Sequence, residues 1–200
     1  PTTFTEISCM DVAVFSIRQG LGSGLLRLSL YLLLLSTPSL AQSEVPLDQV
    51  DQRAKNVTQV VLGILSYARW PIEPASLQLC VVGPTEYADD LLKGATQASG
   101  RALQVRRVLV TDPLLIKHCN ALYLGKLSAE DRRSVFDQLS GQAVLSISEQ
   151  VDSCSVGSLF CLKVGDENVS FEVNLDSVAR SGVRIHPRVL QLSHRRGDQT

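Results

Sequence analysis

The chain has 200 residues, 44% apolar and 20% charged, with 19 basic against 20 acidic side chains. That apolar share excludes a wholly disordered chain, and the near-neutral balance gives no footprint of the basic face expected for nucleic-acid binding. One domain of ordinary size fits the length, with or without an appendage.

The first segment reads as a leader. Mean hydropathy is +0.12, and its positive part sits near the start. Arg18 and Arg27 precede or enter an apolar run through Leu25, Leu26, Leu28, Leu30 and Leu32 to Leu35. Pro38 and the small-x-small end Ser39-Leu40-Ala41 follow, which completes the pattern of a secretory signal peptide. The uninterrupted core is about half of what spanning a bilayer needs. Gln42 follows the small residue where a lipoprotein would carry cysteine. Met10 is the only methionine, so residues 1–9 read as an upstream non-native or misannotated segment. The expected organisation is 1–9 upstream, 10–41 signal peptide, and 42–200 a single α/β domain with frayed termini.

Within the mature part, Val50, Ala54, Val57, Val61, Ile64, Leu65 and Ala68 recur at helical spacing, predicting a helix over 48–69 stopped by Pro71. Residues 77–82 form a near-continuous apolar run, the mark of a strand buried on both faces. Thr85 is positioned to cap a second helix carrying Ala88, Leu91, Leu92 and Ala95. A strand over 102–110, a helical turn near 112–116 and a short strand at 121–124 come next. Ser128-x-x-Asp131 opens a helix with Val135, Phe136 and Leu139 that closes at Gly141. Residues 143–148 read as the next strand. Two further strands flank Gly165-Asp166-Glu167-Asn168, a hairpin signature. A short helix at 176–180 and an extended piece at 183–186 finish the domain. The alternation predicts a three-layer α/β/α sandwich with a mixed, mostly parallel sheet and a C-terminal β-hairpin.

Cysteine usage agrees with export. The whole chain has five, and removing the leader with Cys9 leaves Cys80, Cys119, Cys154 and Cys161. In an oxidising compartment four cysteines suggest two disulfides, with three possible connectivities. Cys154 and Cys161 bracket a short Ser/Gly loop, which suits a local bridge and leaves Cys80 to Cys119. Loop entropy makes the long bridge worth roughly 4 kcal/mol and the short one about 2.5. No Cys-x-x-Cys is present, and His118-Cys119 alone is poor spacing for a metal, so neither zinc nor a thioredoxin-like redox role is expected.

Catalytic motifs are missing. The sequence has no Gly-x-Ser-x-Gly, no His-Glu-x-x-His and no phosphate loop, so no catalytic residue and no cofactor is assigned. Gly83-Pro84-Thr85 could hold an anion at a strand-to-helix turn. Alternation over 169–175 places Ser170, Glu172 and Asn174 on one face, and over 183–187 it places Arg184 with His186. Together with Arg69 these groups could grip an anionic or amphoteric small ligand. The competing reading is a solvated sheet face with a surface ion pair.

Tyr67-x-x-Trp70-Pro71, the cysteine-bearing strand near Leu77, and the ending Phe171-x-Val173-Asn174-Leu175, Ser181-Gly182-Val183-x-Ile185, Pro187-x-Val189-Leu190-x-Leu192 are familiar together. Over the mature chain they resemble the YfiR family of periplasmic proteins. The resemblance implies a non-enzymatic homodimeric repressor with a three-layer α/β fold. It implies binding to the periplasmic domain of a membrane diguanylate cyclase, YfiN, and sequestration by an outer-membrane lipoprotein, YfiB. Cyclic-di-GMP, and with it biofilm formation, would then respond to envelope stress, with cysteine oxidation tuning the repressor. Carried over residue by residue, the family's ligand pocket falls on Arg69, Glu172, Arg184 and His186. Phe160 and Leu162, read as exposed apolar side chains near the hairpin, are candidate partner anchors, with plain core residues as the competing and favoured reading of each singly. A stand-alone periplasmic binder of an anionic or amino-acid-like ligand is the alternative.

Overall fold

In the computed structural model, residues 47–194 are described except 98, 99, 114 and 167. The expected leader and upstream segment lie outside the described residues. All described residues fall in one unit, Glu44–Thr200.

Helix α1, Leu47–Ser66, buries Ala54, Val57, Val61, Ile64 and Leu65, a stripe at three- and four-residue spacing. It stops three residues before the predicted end. Ser66 Oγ donates to Gly63 O (2.7 Å) and Tyr67 N–H to Ile64 O (3.1 Å), closing the last turn. Ala68–Arg69 then leaves as a two-residue strand, β1. Its antiparallel partner is β9, Arg184–Ile185, with Ala68 opposite Ile185 and Arg69 opposite Arg184. Periodicity could not show that pairing, because the partner lies over a hundred residues away in the chain.

The main sheet has seven strands: β2 Leu77–Val82, β3 Ala95–Thr96, β4 Ala102–Val108, β5 Ala121–Leu124, β6 Leu145–Ser148, β7 Phe160–Val164 and β8 Val169–Val173. Their order is β3-β4-β2-β5-β6-β7-β8. The pairs from β4 through β7 are parallel, and the two edges, β3 on β4 and β8 on β7, are antiparallel. The expected mixed, mostly parallel sheet is present, and β7 with β8 is the C-terminal hairpin.

Strand β2 shows how the layers arise. Leu79 and Val81 point into the core beneath α1, while Cys80 and Val82 join a second apolar cluster on the other face. Strand β5 does the same, with Ala121 and Tyr123 on the α1 side and Leu122 and Leu124 opposite. The second cluster is covered by α2, Leu115–His118, and α3, Ala129–Leu139, through Leu115 and Val135. Ser128 caps α3 as expected, its Oγ accepting from Asp131 N–H at 3.0 Å. The first cluster is closed by α1 and by the C-terminal turn Pro187–Leu190, through Val189. The molecule is thus the three-layer α/β sandwich the alternation implied.

One predicted helix is absent. After Thr85 the chain forms turns, a single 3-10 turn at Leu91–Lys93, and then β3. Tertiary bonds override the helical spacing: Glu149 accepts from Glu86 N–H and Tyr87 N–H, and Arg107 donates to Thr85 Oγ1. Both disulfides form as read from the spacing, Cys80–Cys119 and Cys154–Cys161, with Cα separations of 5.8 and 5.7 Å. The first ties β2 to the loop entering β5. The second pins α4, Ser153–Val156, onto β7. Among the described residues no helix is long and apolar enough to cross a membrane.

Candidate functional site

Three of the four predicted ligand residues meet on the β1–β9 ribbon. Arg69 stands directly opposite Arg184. His186 follows β9, and its N–H donates to Tyr67 O at 3.0 Å, extending the ribbon by one bond. The Tyr67 and His186 rings lie 6.1 Å apart, and His186 Nδ1 accepts from Arg188 N–H at 3.2 Å. The Arg69 guanidinium donates to Ser66 O and Ala68 O, both at 2.8 Å, which folds it back over the end of α1. Arg69, Arg184, His186 and Arg188 are all exposed. Among the described residues no carboxylate forms an ion pair with any of these arginines. Like charges directly across a ribbon repel.

Glu172 is placed elsewhere. It lies on β8 opposite Cys161, and its carboxylate pairs with Lys163 on the neighbouring strand. Just beyond, Asn174 caps α5, Leu175–Arg180, accepting from Ser177 N–H and donating to Cys154 O.

The expectation that Phe160 and Leu162 are exposed is corrected: they are 0% and 1% exposed. Both belong to the core beneath α1, where the Phe160 and Phe171 rings pack edge to face at 5.6 Å. Hairpin position alone suggested a surface, but this face of β7 packs into the cluster that holds Val57, Val61 and Ile64 of α1. The exposed apolar side chains nearby are Leu175 (73%), one turn before Val178 on α5, and Leu190 (48%), just after the ribbon. Val178, Gly182, Arg184 and Ile185 line a shallow groove of about 380 Å³ in the same region.

A second concavity went unread in the sequence. The chain leaves β2 toward β4 on one side and returns to β5 on the other, so the order reverses between β2 and β5. In open α/β sheets the carboxyl ends of the strands at such a reversal form a crevice. Here that crevice is a groove of about 930 Å³, lined by the loops after β2, β5 and β6 and by the hairpin. Glu149 organises it. One oxygen accepts from Tyr87 N–H (2.9 Å) and Tyr123 Oη–H (2.8 Å), and the other from Glu86 N–H (3.0 Å). Burial, then the Glu149 charge and hydrogen bond, raise the Tyr123 phenol far above its usual range. Burial, followed by the bond to Glu86, pushes Tyr87 up to about 12. Gly125 permits the close approach of the two central loops. A Cβ there would sit 1.9 Å from Pro84 O, while Gly125 N–H donates to Val82 O and Lys126 N–H to Pro84 O. The available signal was position: Thr85, Lys126 and Glu149 each follow closely on a strand's carboxyl end, and only the Gly83-Pro84-Thr85 turn stood out. Among the described residues no group of three or more His, Cys, Asp or Glu side chains could hold a metal ion.

Two exposed arginines facing each other and an open groove at the sheet's switch point thus lie on one domain braced by two disulfides. Residues 54–194 match the family profile described as YfiR/HmsC-like, and the chain therefore belongs to the YfiR/HmsC-like family, whose members are periplasmic regulators of cyclic-di-GMP signalling that act with a diguanylate cyclase.

Proposed function

We propose that this protein is a periplasmic repressor that binds the periplasmic domain of a YfiN-like diguanylate cyclase and holds the enzyme inactive. A YfiB-like outer-membrane lipoprotein would release the cyclase by sequestering the repressor, which acts as a homodimer. The family match supports this reading. So do two features in the C-terminal part of the chain: exposed Leu175 and Leu190 on either side of β9 in sequence, and the Arg69–Arg184 pair, which among the described residues forms no ion pair. Apolar anchors and unpaired cations suit a protein surface with an apolar centre and an acidic rim. Repression then follows from differential affinity: a partner bound better in the inactive state of the cyclase shifts its equilibrium toward that state.

Calorimetry between the mature chain and the cyclase's periplasmic domain tests the reading. Binding that is lost in Leu175→Asp, with folding retained, is the expected result. Unchanged binding in that variant removes the proposed surface, and no binding by the native chain removes the partner.

The Arg69, Arg184 and His186 cluster favours a second reading, in which the domain also holds a small anionic or amino-acid-like ligand on the ribbon. Thermal stabilisation by such a ligand, abolished in Arg184→Ala, separates that role from partner binding.

A further inference from the structure

The Cys80–Cys119 disulfide gathers a set of cations that the function proposed above does not use. In the parallel pairing of β2 with β4, Gln78 stands beside Gln104 and Cys80 beside Arg106. Side chains in register on neighbouring strands share a face, so Gln78, Cys80 and Arg106 lie on the face that α2 and α3 cover. The bridge to Cys119 then holds Lys117 and His118, the last two residues of α2, next to that face. Arg106, Lys117 and His118 line one shallow groove of about 480 Å³, together with Ser76, Gln78 and Asn120. None of these residues belongs to the arginine ribbon.

The floor of the groove is fixed before any ligand arrives. Gln78 N–H donates to Asn120 Oδ1 and Asn120 N–H to Gln78 O, both at 2.9 Å. Gln78 Nε2 donates to Gln104 Oε1 at 2.9 Å and to Ser76 Oγ at 3.2 Å. Such preorganisation lowers the ordering cost of binding. These bonds also occupy the side-chain oxygens of Asn120 and Ser76. Left without an acceptor among the described residues are the Asn120 amide nitrogen, the Ser76 hydroxyl proton and the side chains of Arg106, Lys117 and His118. An imidazole presents at least one N–H in either protonation state.

No acidic side chain lines the groove. Glu73, adjacent in the chain to its rim at Pro74, is committed elsewhere: one oxygen accepts from Trp70 N–H at 3.1 Å and the other pairs with Arg101 at 2.6 Å. In a chain with 20 acidic against 19 basic side chains, a groove whose only charges are cations is a local departure. It calls for an occupant that is anionic and rich in acceptors. A single carboxylate brings one charge and two oxygens, which leaves most of the five donor groups unmet. A phosphate monoester carries about −1.5 to −2 at neutral pH and presents three strongly accepting oxygens. The groove is far larger than a bare phosphate, which takes up only a few water volumes of about 30 Å³ each, so room remains for the molecule that bears it.

We propose that the groove between β2, β4 and the end of α2 is a binding site for a phosphate monoester. Arg106 and Lys117 meet its charge, while His118, Asn120 and Ser76 donate to its remaining oxygens. A soluble phosphoester and the headgroup of phosphatidic acid offer this same chemistry.

Titration of the isotope-labelled protein with glycerol phosphate, followed by amide chemical shifts, tests this. The expected result is saturable movement of Ser76, Arg106, Lys117, His118 and Asn120 in the millimolar range. Succinate at equal ionic strength, a dianion without phosphate, should bind at least several-fold more weakly. The groove shifts should be lost when Arg106→Ala and Lys117→Ala are combined, with the circular dichroism of the native protein retained, and should persist in Arg184→Ala. Co-sedimentation with phosphatidic acid vesicles, lost in the same double variant, would assign the phosphate to a lipid; its absence alongside saturable glycerol phosphate binding would assign it to a soluble ester. No saturable shift, an equal response to succinate, shifts confined to the ribbon, or shifts that survive in the double variant would each overturn the proposal. None of these results bears on cyclase binding, so the two readings fail independently.

Discussion

Removing the Tyr123 hydroxyl probes the bond on which the groove's shape depends. Tyr123 is 0% exposed, on the central strand β5, and its hydroxyl donates to Glu149 at 2.8 Å. A hydrogen bond to a charged acceptor is worth about 1.5–3 kcal/mol. Glu149 retains two backbone donors and some solvent in Tyr123→Phe, so the lower end of that range, about 1.5 kcal/mol, is expected. Glu149→Ala strands the buried phenol, which costs about 1–3 kcal/mol in addition to the lost loop contacts, so a total of about 2–4 kcal/mol is expected. In the double variant the phenol is gone and nothing is stranded. Tyr123→Phe should then stabilise the Glu149→Ala background by about 1–3 kcal/mol, the cost of the stranded phenol, a coupling of at least about 2.5 kcal/mol. Urea unfolding of the four proteins at equal m-value measures this cycle directly. Additivity within about 0.5 kcal/mol would refute the claim that Glu149 and the buried phenol act as one unit.

Further outcomes follow from the same structure. Cys80→Ala with Cys119→Ala opens a closure of 39 residues and should cost about 4 kcal/mol, against about 2.4 for Cys154→Ala with Cys161→Ala across 7; unfolding midpoints in the reverse order would contradict the loop argument. Phe160→Ala should destabilise by about 3–5 kcal/mol, as expected of a core residue, and calorimetric scanning showing no loss would restore it to the surface. Gly125→Ala, forced against Pro84 O, should unfold at lower urea than the native chain, whereas Gly141→Ala, with open space around its Cβ but φ +74, should cost only about 1 kcal/mol. Tyr87 should ionise at about 12 by phenolate absorbance rather than near 10. Because the folded state keeps that proton longer, stability should fall as pH rises from 10 toward 12, and Tyr87→Phe should reduce that slope, leaving the share of the buried Tyr123 phenol.

The parts legible in the sequence are those governed by local pattern. The apolar runs of β2 and β5, the Ser128 cap, the Gly165–Asn168 turn and the spacing of Cys154 and Cys161 each carry their instruction within a few residues. The parts that were not legible depend on distant partners. The end of α1 is set by pairing with Arg184 and Ile185, and the loop after β2 is held by Glu149 rather than becoming a helix. Phe160 sits in an alternating hairpin, and alternation alone does not say which of its faces meets α1. For the ribbon, sequence alternation grouped Arg184 with His186, and the pairing of β9 with β1 adds Arg69 opposite Arg184. The position of Glu172, paired with Lys163 on another strand, required the register of β7 and β8.

Restraint of a cyclase by this chain would be read out in cellular cyclic-di-GMP. Deleting the gene in a strain that retains the partner cyclase should raise cyclic-di-GMP, and the native chain supplied in trans should restore the low level while Leu175→Asp should not. Cyclic-di-GMP unchanged by the deletion, with the cyclase present, would contradict the account.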